Sequence, residues 1–132
     1  MKKIVVAALM LFSFAFSPAV IAQQVTKKPA TATTKKLTEE QKINHLIKYV
    51  HGLDGATFIR NGSDYPAKAA ADHLQMKREK AGSRVKTARQ FIDVLASESS
   101  MSGKAYQIKF KDGKTYSSRQ VLMKELERIE KL

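Results

Sequence analysis

The chain has 132 residues, with 24 Lys and Arg against 12 Asp and Glu, and a formal net charge of +12. That length suits a single domain. With no cysteine at all, disulfides, thiolate metal centres and a lipid-modified cysteine are excluded.

Lys2 and Lys3 precede an apolar run from Ile4 to Phe16, which Ser17 and Pro18 interrupt before Val20-Ile21-Ala22. A positive start, an apolar stretch and small residues just before the break make residues 1–22 a secretory signal peptide, cleaved after Ala22. The competing reading is an uncleaved anchor, for which about 20 apolar residues are needed. Ser13, Ser17 and Pro18 lie inside the stretch Ile4 to Ala22 that would have to span, and no basic cluster directly follows it. The expectation is therefore an exported, periplasmic protein with no transmembrane segment after cleavage, its charge lowered from +12 to +10 by loss of Lys2 and Lys3. Export removes nucleic acid as a partner. It leaves an anionic envelope component or another periplasmic protein, or a charge that serves solubility alone.

Residues 23–36, QQVTKKPATATTKK, hold one larger apolar residue, Val25, and four lysines. Such a segment buries too little surface to offset its ordering entropy and reads as a flexible basic linker. Residues 37–132 then form a single domain, long enough to pack a modest core.

That domain opens on Thr38-Glu39-Glu40-Gln41, a capping box, followed by Ile43, Leu46, Ile47 and Val50 at helical spacing. Gly52 and Gly55 end this helix. ATFIR reads as a strand running into Asn61-Gly62, a pair that favours a tight hairpin turn. Pro66 suits the first turn of a second helix, whose stripe is Ala67, Ala70, Ala71 and Leu74, with Gly82 as its stop. Thr87-Ala88-Arg89-Gln90 is another capping box, ahead of Phe91, Ile92, Leu95 and Ala96. A serine-rich loop leads to Tyr106, Ile108 and Phe110, which alternate as in a half-buried strand. Asp112-Gly113 makes a second hairpin, and Ser117 to Gln120 cap a last helix carrying Val121, Leu122, Leu126 and Ile129. The predicted fold is α+β: four short helices with two β-hairpins forming one small antiparallel sheet.

The halves match in detail. Thr38, Gln41, Ile43 and Leu46 correspond to Thr87, Gln90, Ile92 and Leu95 at an offset of 49; Asn61, Gly62, Tyr65 and Lys68 correspond to Asp112, Gly113, Tyr116 and Arg119 at 51. Two readings fit: an internally duplicated helix–hairpin–helix unit, or convergence of caps and turns that draw on few residue types. Capping does not call for Tyr65/Tyr116 or Lys68/Arg119.

The strings FIRNG, AAADHL, RVKTARQFID and SSMSGKAY stand in an order that resembles the YfeK-like family of small exported bacterial proteins, classed as a domain of unknown function. The resemblance spans residues 38–130 and implies a bacterial, periplasmic protein. It implies Phe58, Ile59, Leu74, Phe91 and Ile92 as core. It also implies a polar signature of Arg60, Asn61, Gly62, Arg84, Thr87, Ser100, Gly103 and Lys104. No activity comes with it.

Catalytic and metal chemistry has little to stand on. His45 and His51 fall on separate helix faces, and His73 reads as a lone surface residue; no H-x-x-x-H occurs. Gly103-Lys104 lacks the first glycine and the hydroxyl residue of a phosphate-binding loop, since those positions hold Glu98 and Ala105. A Ser-x-x-Lys pair would need serine at Met101. No cofactor is expected. The leading reading is a non-catalytic binding or accessory protein of the cell envelope, with Arg60, Asn61, Gly62, Arg84, Ser100, Ser102 and Lys104 as candidate anion-binding residues. Arginine forks and glycine-rich turns both suit phosphate or carboxylate. The alternative is a small envelope hydrolase using the serine-rich loop 97–104, whose hydroxyls are otherwise ordinary turn residues.

Overall fold

A computed structural model describes residues 35–132. The signal peptide read at 1–22 and nearly all of the linker read at 23–36 lie outside the described residues. The domain runs α1 (Glu39–His51), β1 (Thr57–Arg60), β2 (Ser63–Pro66), α2 (Ala67–Ala81), α3 (Ala88–Gln90), β3 (Gln107–Lys109), β4 (Thr115–Ser117) and α4 (Ser118–Glu130). It is α+β, with four helices and one antiparallel sheet of order β2-β1-β3-β4. Among the described residues no helix is long and apolar enough to cross a membrane.

Local chemistry sets the element ends. Thr38, Thr87 and Ser117 each form both halves of a capping box, with Gln41, Gln90 and Gln120, so the first free N–H groups of three helices are satisfied. Pro66 proves to be the residue before α2, the last of β2, and not part of its first turn. Its fixed φ also fits that extended position. The first hairpin turns on Asn61 (φ 51°) and Gly62 (φ 79°), the pair of positive angles a two-residue turn requires. The second takes three residues, closed by Phe110 N–H to Lys114 C=O (2.9 Å), with Gly113 at φ 83°.

α3 does not continue as an α-helix. From Phe91 to Ala96 it widens into a π-helix, although the sequence carries ordinary helical spacing there. Phe91, Ile92, Leu95 and Ala96 are nonetheless all buried. Lys77 Nζ, from α2, donates to Leu95 C=O (2.7 Å), a carbonyl near the end of the widened turn.

One row of side chains crosses the sheet: Tyr65, Phe58, Ile108 and Tyr116, each paired with the next across a strand boundary. Phe58 and Ile108 are buried at its centre, in one core with Leu46, Val50, Phe91, Ile92 and Leu122. The helices cover this face. Neighbouring Ile59 points the other way, stays half-exposed and is not core, which corrects the expectation drawn from the family pattern. The opposite face, with Gln107 and Lys109 exposed, carries no core residue.

The central pairing is also where the two halves meet. Thr57 pairs with Lys109, Phe58 with Ile108 and Ile59 with Gln107, so an approximate twofold relation passes between Phe58 and Ile108. Phe58 faces Tyr65 as Ile108 faces Tyr116. The extra residue of the second turn shifts the correspondence from 50 in the first strands to 51 in the second.

Beneath the sheet layer, charge ties three helices together. Lys42, 4% exposed, donates to Glu39 (2.8 Å) and Glu130 (2.7 Å), and Glu39 accepts the Ala88 N–H that opens α3 (2.8 Å). Buried Glu125 accepts from His45 Nε2 (2.6 Å) and from Arg128 twice (2.9 and 2.7 Å). The Arg128 bonds hold the Glu125 carboxyl below the usual range, with His45 adding to the effect.

Candidate functional site

A slot of about 410 Å³ lies between α2 and the β1–β2 side of the sheet, a size that suits a small ligand. Phe58, Ala69, Ala70, Leu74 and Met76 supply its apolar wall. Its polar lining comes from Arg60, Tyr65, Asp72, His73, Tyr106 and Ser118.

Arg60 organises part of that lining. As the last residue of β1 it lies two positions from Phe58 and so projects to the same, helix-covered face. Its guanidinium stands 4.8 Å from the centre of the Tyr65 ring and donates to Tyr65 Oη at 3.2 Å. A second N–H reaches His73 Nε2 at 2.6 Å. Arginine can only donate, so His73 Nε2 accepts and the ring's proton sits on Nδ1. Burial is the first cause holding His73 below its ordinary pKa, and the Arg60, Lys77 and Lys80 charges add to it. The imidazole beside Arg60 is therefore neutral near pH 7. Lys77 lies close by, donating to Tyr106 Oη (3.2 Å) and standing 5.0 Å from that ring.

Arg60 and Lys77 are half-buried, and neither forms an ion pair among the described residues. The carboxylate at the rim, Asp72, is exposed and paired with Lys68 at 2.8 Å. Guanidinium carries five N–H donors and two are engaged here. Lys77 spends its three N–H donors on the Leu95 and Glu98 carbonyls and on Tyr106 Oη, so the slot combines apolar walls with one cation, Arg60, that has donors to spare.

The residues singled out by sequence do not all gather here. Asn61 and Ser102 come together: Ser102 Oγ donates to Asn61 Oδ1 (2.5 Å), while Asn61 Nδ2 donates to buried Ser99 Oγ (3.3 Å). These bonds pin the serine loop to the first hairpin. Gly62 serves the turn, and Ser100 and Lys104 are exposed on the loop. Arg84 is elsewhere. It folds back to the carbonyls of Ala81 (3.2 Å) and Lys80 (3.0 Å) at the end of α2, the ordinary work of a basic residue at a helix C-terminus. Arg60, Arg84 and Lys104 therefore do not converge as one anion site.

The loop hydroxyls are likewise engaged with backbone and amide groups. Ser97 Oγ donates to Ile92 C=O (2.6 Å), and Ser99 Oγ accepts the Ser102 N–H (3.4 Å). Among the described residues no imidazole, carboxylate or amine side chain is hydrogen-bonded to a hydroxyl of this loop, so none of these serines has the adjacent base that activates a nucleophile.

Sequence reasoning missed Tyr65, His73 and Tyr106 as site residues. His73, read as a surface residue, is half-buried against Arg60 and stands edge-on to Tyr106 with ring centres 6.5 Å apart. Thirteen residues separate His73 from Arg60, so no local pattern links them. The tyrosine shared by the two halves was the available signal.

Known proteins bear on identity more than on this site. Uncharacterized protein YfeK of Salmonella typhimurium is 40% identical over 68 residues, covering 52% of this chain and 57% of that protein. The alignment thus spans a little over half the relative's length. No solved structure matches. The family of unknown function DUF5329 matches residues 37–130, the whole folded domain but for its last residues, and the chain belongs to that family.

Proposed function

We propose that this protein is exported to the periplasm and acts there as a non-catalytic binding or accessory protein, receiving an anionic group of its partner in the slot at Arg60. The observation that carries this reading is the half-buried Arg60 guanidinium, backed by Tyr65 and the neutral His73 and free of any ion pair among the described residues. Bonds from such a partly desolvated guanidinium to a carboxylate or phosphate are among the stronger polar contacts. The lysines ahead of the fold add only long-range attraction, screened within about 8–10 Å at physiological ionic strength.

Two measurements test the reading. Protein recovered from the periplasm should have the mass of a chain beginning at Gln23; a mass retaining residues 1–22 would refute export with cleavage. Titration with phosphate and with phosphatidylglycerol vesicles should show a salt-resistant component that Arg60→Gln abolishes and Arg84→Gln leaves intact. Equal effects of the two substitutions would reduce Arg60 to one more surface charge.

A further inference from the structure

The approximate twofold relation lets one half of the molecule be read against the other. Because α2 follows Tyr65-Pro66 as directly as α4 follows Tyr116-Ser117, positions on the two helices correspond at an offset of 51. A second hollow lies against α4, lined among others by Phe110, Tyr116, Val121, Lys124, Glu125 and Arg128. It is the counterpart of the slot against α2. Val121 stands for Ala70, Glu125 for Leu74 and Arg128 for Lys77. Phe110 stands for Arg60, one position beyond the paired Ile108 and Lys109 just as Arg60 follows Ile59.

The two hollows solve the same problem differently. In the α4 hollow an aromatic ring, Phe110, meets Tyr116 edge-on at 5.9 Å, and the cation Arg128 is satisfied by two bonds to the Glu125 carboxylate. In the α2 slot the cation Arg60 stands over the equivalent tyrosine. The position of that carboxylate is taken by buried, apolar Leu74. The small Ala69 and Ala70, where α4 has Gln120 and Val121, leave the space beside it open. The α2 slot has one cation without an ion pair, Arg60, an apolar trough, and a single lining carboxylate, the exposed Asp72, which is already paired with Lys68.

We infer that the α2 slot binds a small amphiphile with a carboxylate head and an aliphatic tail, the head on Arg60 and the tail between Ala70, Leu74 and Phe58. Lys77, the counterpart of Arg128, is satisfied by the Leu95 and Glu98 carbonyls and by Tyr106, whereas Arg60 has two donors engaged; the ligand's carboxylate takes the remaining ones, and its tail excludes water from the contact. This inference rests on the reading of Arg60 as an anion-binding residue and adds the ligand's chemical class. A fatty acid is the simplest molecule of that kind.

Calorimetric titration of the chain as recovered from cells, with octanoate, decanoate, decanol and decyltrimethylammonium, tests it. Decanoate should bind more tightly than octanoate by about fourfold per methylene, the increment for burying one. Decanol and decyltrimethylammonium should bind at least about tenfold more weakly than decanoate, the scale of a lost bond to a charged group. Arg60→Gln should remove that preference. Ala70→Leu, which fills the trough, should weaken decanoate by a larger factor than it weakens phosphate. Equal affinity for decanol and decanoate, or no gain with tail length, overturns the inference. If phosphate or anionic vesicles bind through Arg60 while decanoate does not, the ligand class is wrong and the anion site stands. If no anion depends on Arg60, both are wrong.

Discussion

Lys42 offers a sharp test of how buried charge is held, because its removal and the removal of its partners should have unequal effects. Its side chain is 5% exposed, whereas those of Glu39 and Glu130 are 41% and 43% exposed. Lys42→Met deletes two charge-assisted bonds, each contributing about 1.5–3 kcal/mol. It also frees two carboxylates that water reaches at once, and the methionine stem keeps most of the packing. The net loss should be about 1–2 kcal/mol after that compensation. The double change Glu39→Gln, Glu130→Gln keeps the ammonium where it is and removes every charge that balances it. Stranding a buried ion costs about 3–5 kcal/mol. Urea melts with equal m-values read the difference, and each kcal/mol should also appear as about 4–8 °C in melting temperature. The pH dependence gives an independent check. Bonds from Glu130 and Glu39 raise the Lys42 pKa above its ordinary 10.5. Its contribution is therefore complete below that value and is lost as pH rises through the folded pKa. Lys42→Met should flatten the alkaline limb of the stability profile. Should Lys42→Met destabilise as much as the double glutamine variant, the ammonium is not the buried member that needs compensation, and the ranking of costs fails.

Acid should weaken the fold from the other side. His73, Glu39 and Glu125 all have depressed pKa values, so their stabilisation is complete above the unfolded values, about 6.5 for histidine and 4.3 for glutamate, and falls as pH drops through the folded ones. His73→Gln, whose amide oxygen can still accept from Arg60, should flatten the stability profile from about pH 6.5 downward; an unchanged slope would mean that His73 titrates normally. Asn61→Ala should cost about 1–3 kcal/mol by deleting its bonds to Ser99 Oγ and Ser102 Oγ, which anchor the loop. Hydrogen exchange at Ser99 and Gly103 should then accelerate ahead of the core, and uniform acceleration would argue against a local anchor. Thr87→Ala should cost about 1 kcal/mol as a lost cap. Thr38→Ala should cost more, because the turn it fixes also presents Glu39 to Ala88; urea melts showing equal losses would separate the two contacts.

What the sequence revealed was set locally. Thr38, Thr87 and Ser117 act within three residues of themselves, and Asn61-Gly62 needs only its own backbone, so caps and hairpins could be read directly. The π-helical turn could not, because Phe91 to Ala96 bury the same residues an α-helix would, and tertiary packing decides the width. Arg84 shows the opposite failure. Its place in a string of polar residues suggested a ligand, yet it spends its donors on carbonyls three and four residues back. The slot depends on side chains from β1, β2, α2 and the segment before β3, whose meeting is a consequence of strand order. That order places β1 against β3, a pairing across roughly half the domain that no local rule supplies.

That central pairing has a consequence for how the molecule can be divided. Each half brings its own hairpin and two helices, and the segment joining them, Gly82 to Lys86, is largely exposed with no strand of its own. The halves are held by the β1–β3 ladder, the helix contacts and the Lys42 network, none of which needs the connecting peptide. Fragments 35–83 and 84–132, produced together, should therefore reassociate into one particle with native circular dichroism; fragments that stay apart or aggregate would show that the connection itself is required. Produced alone, the first fragment exposes β1 as an open edge whose register on β3 is centred on Phe58. An antiparallel copy of itself can meet that edge in the same register, so the partner of a lone half is a second lone half.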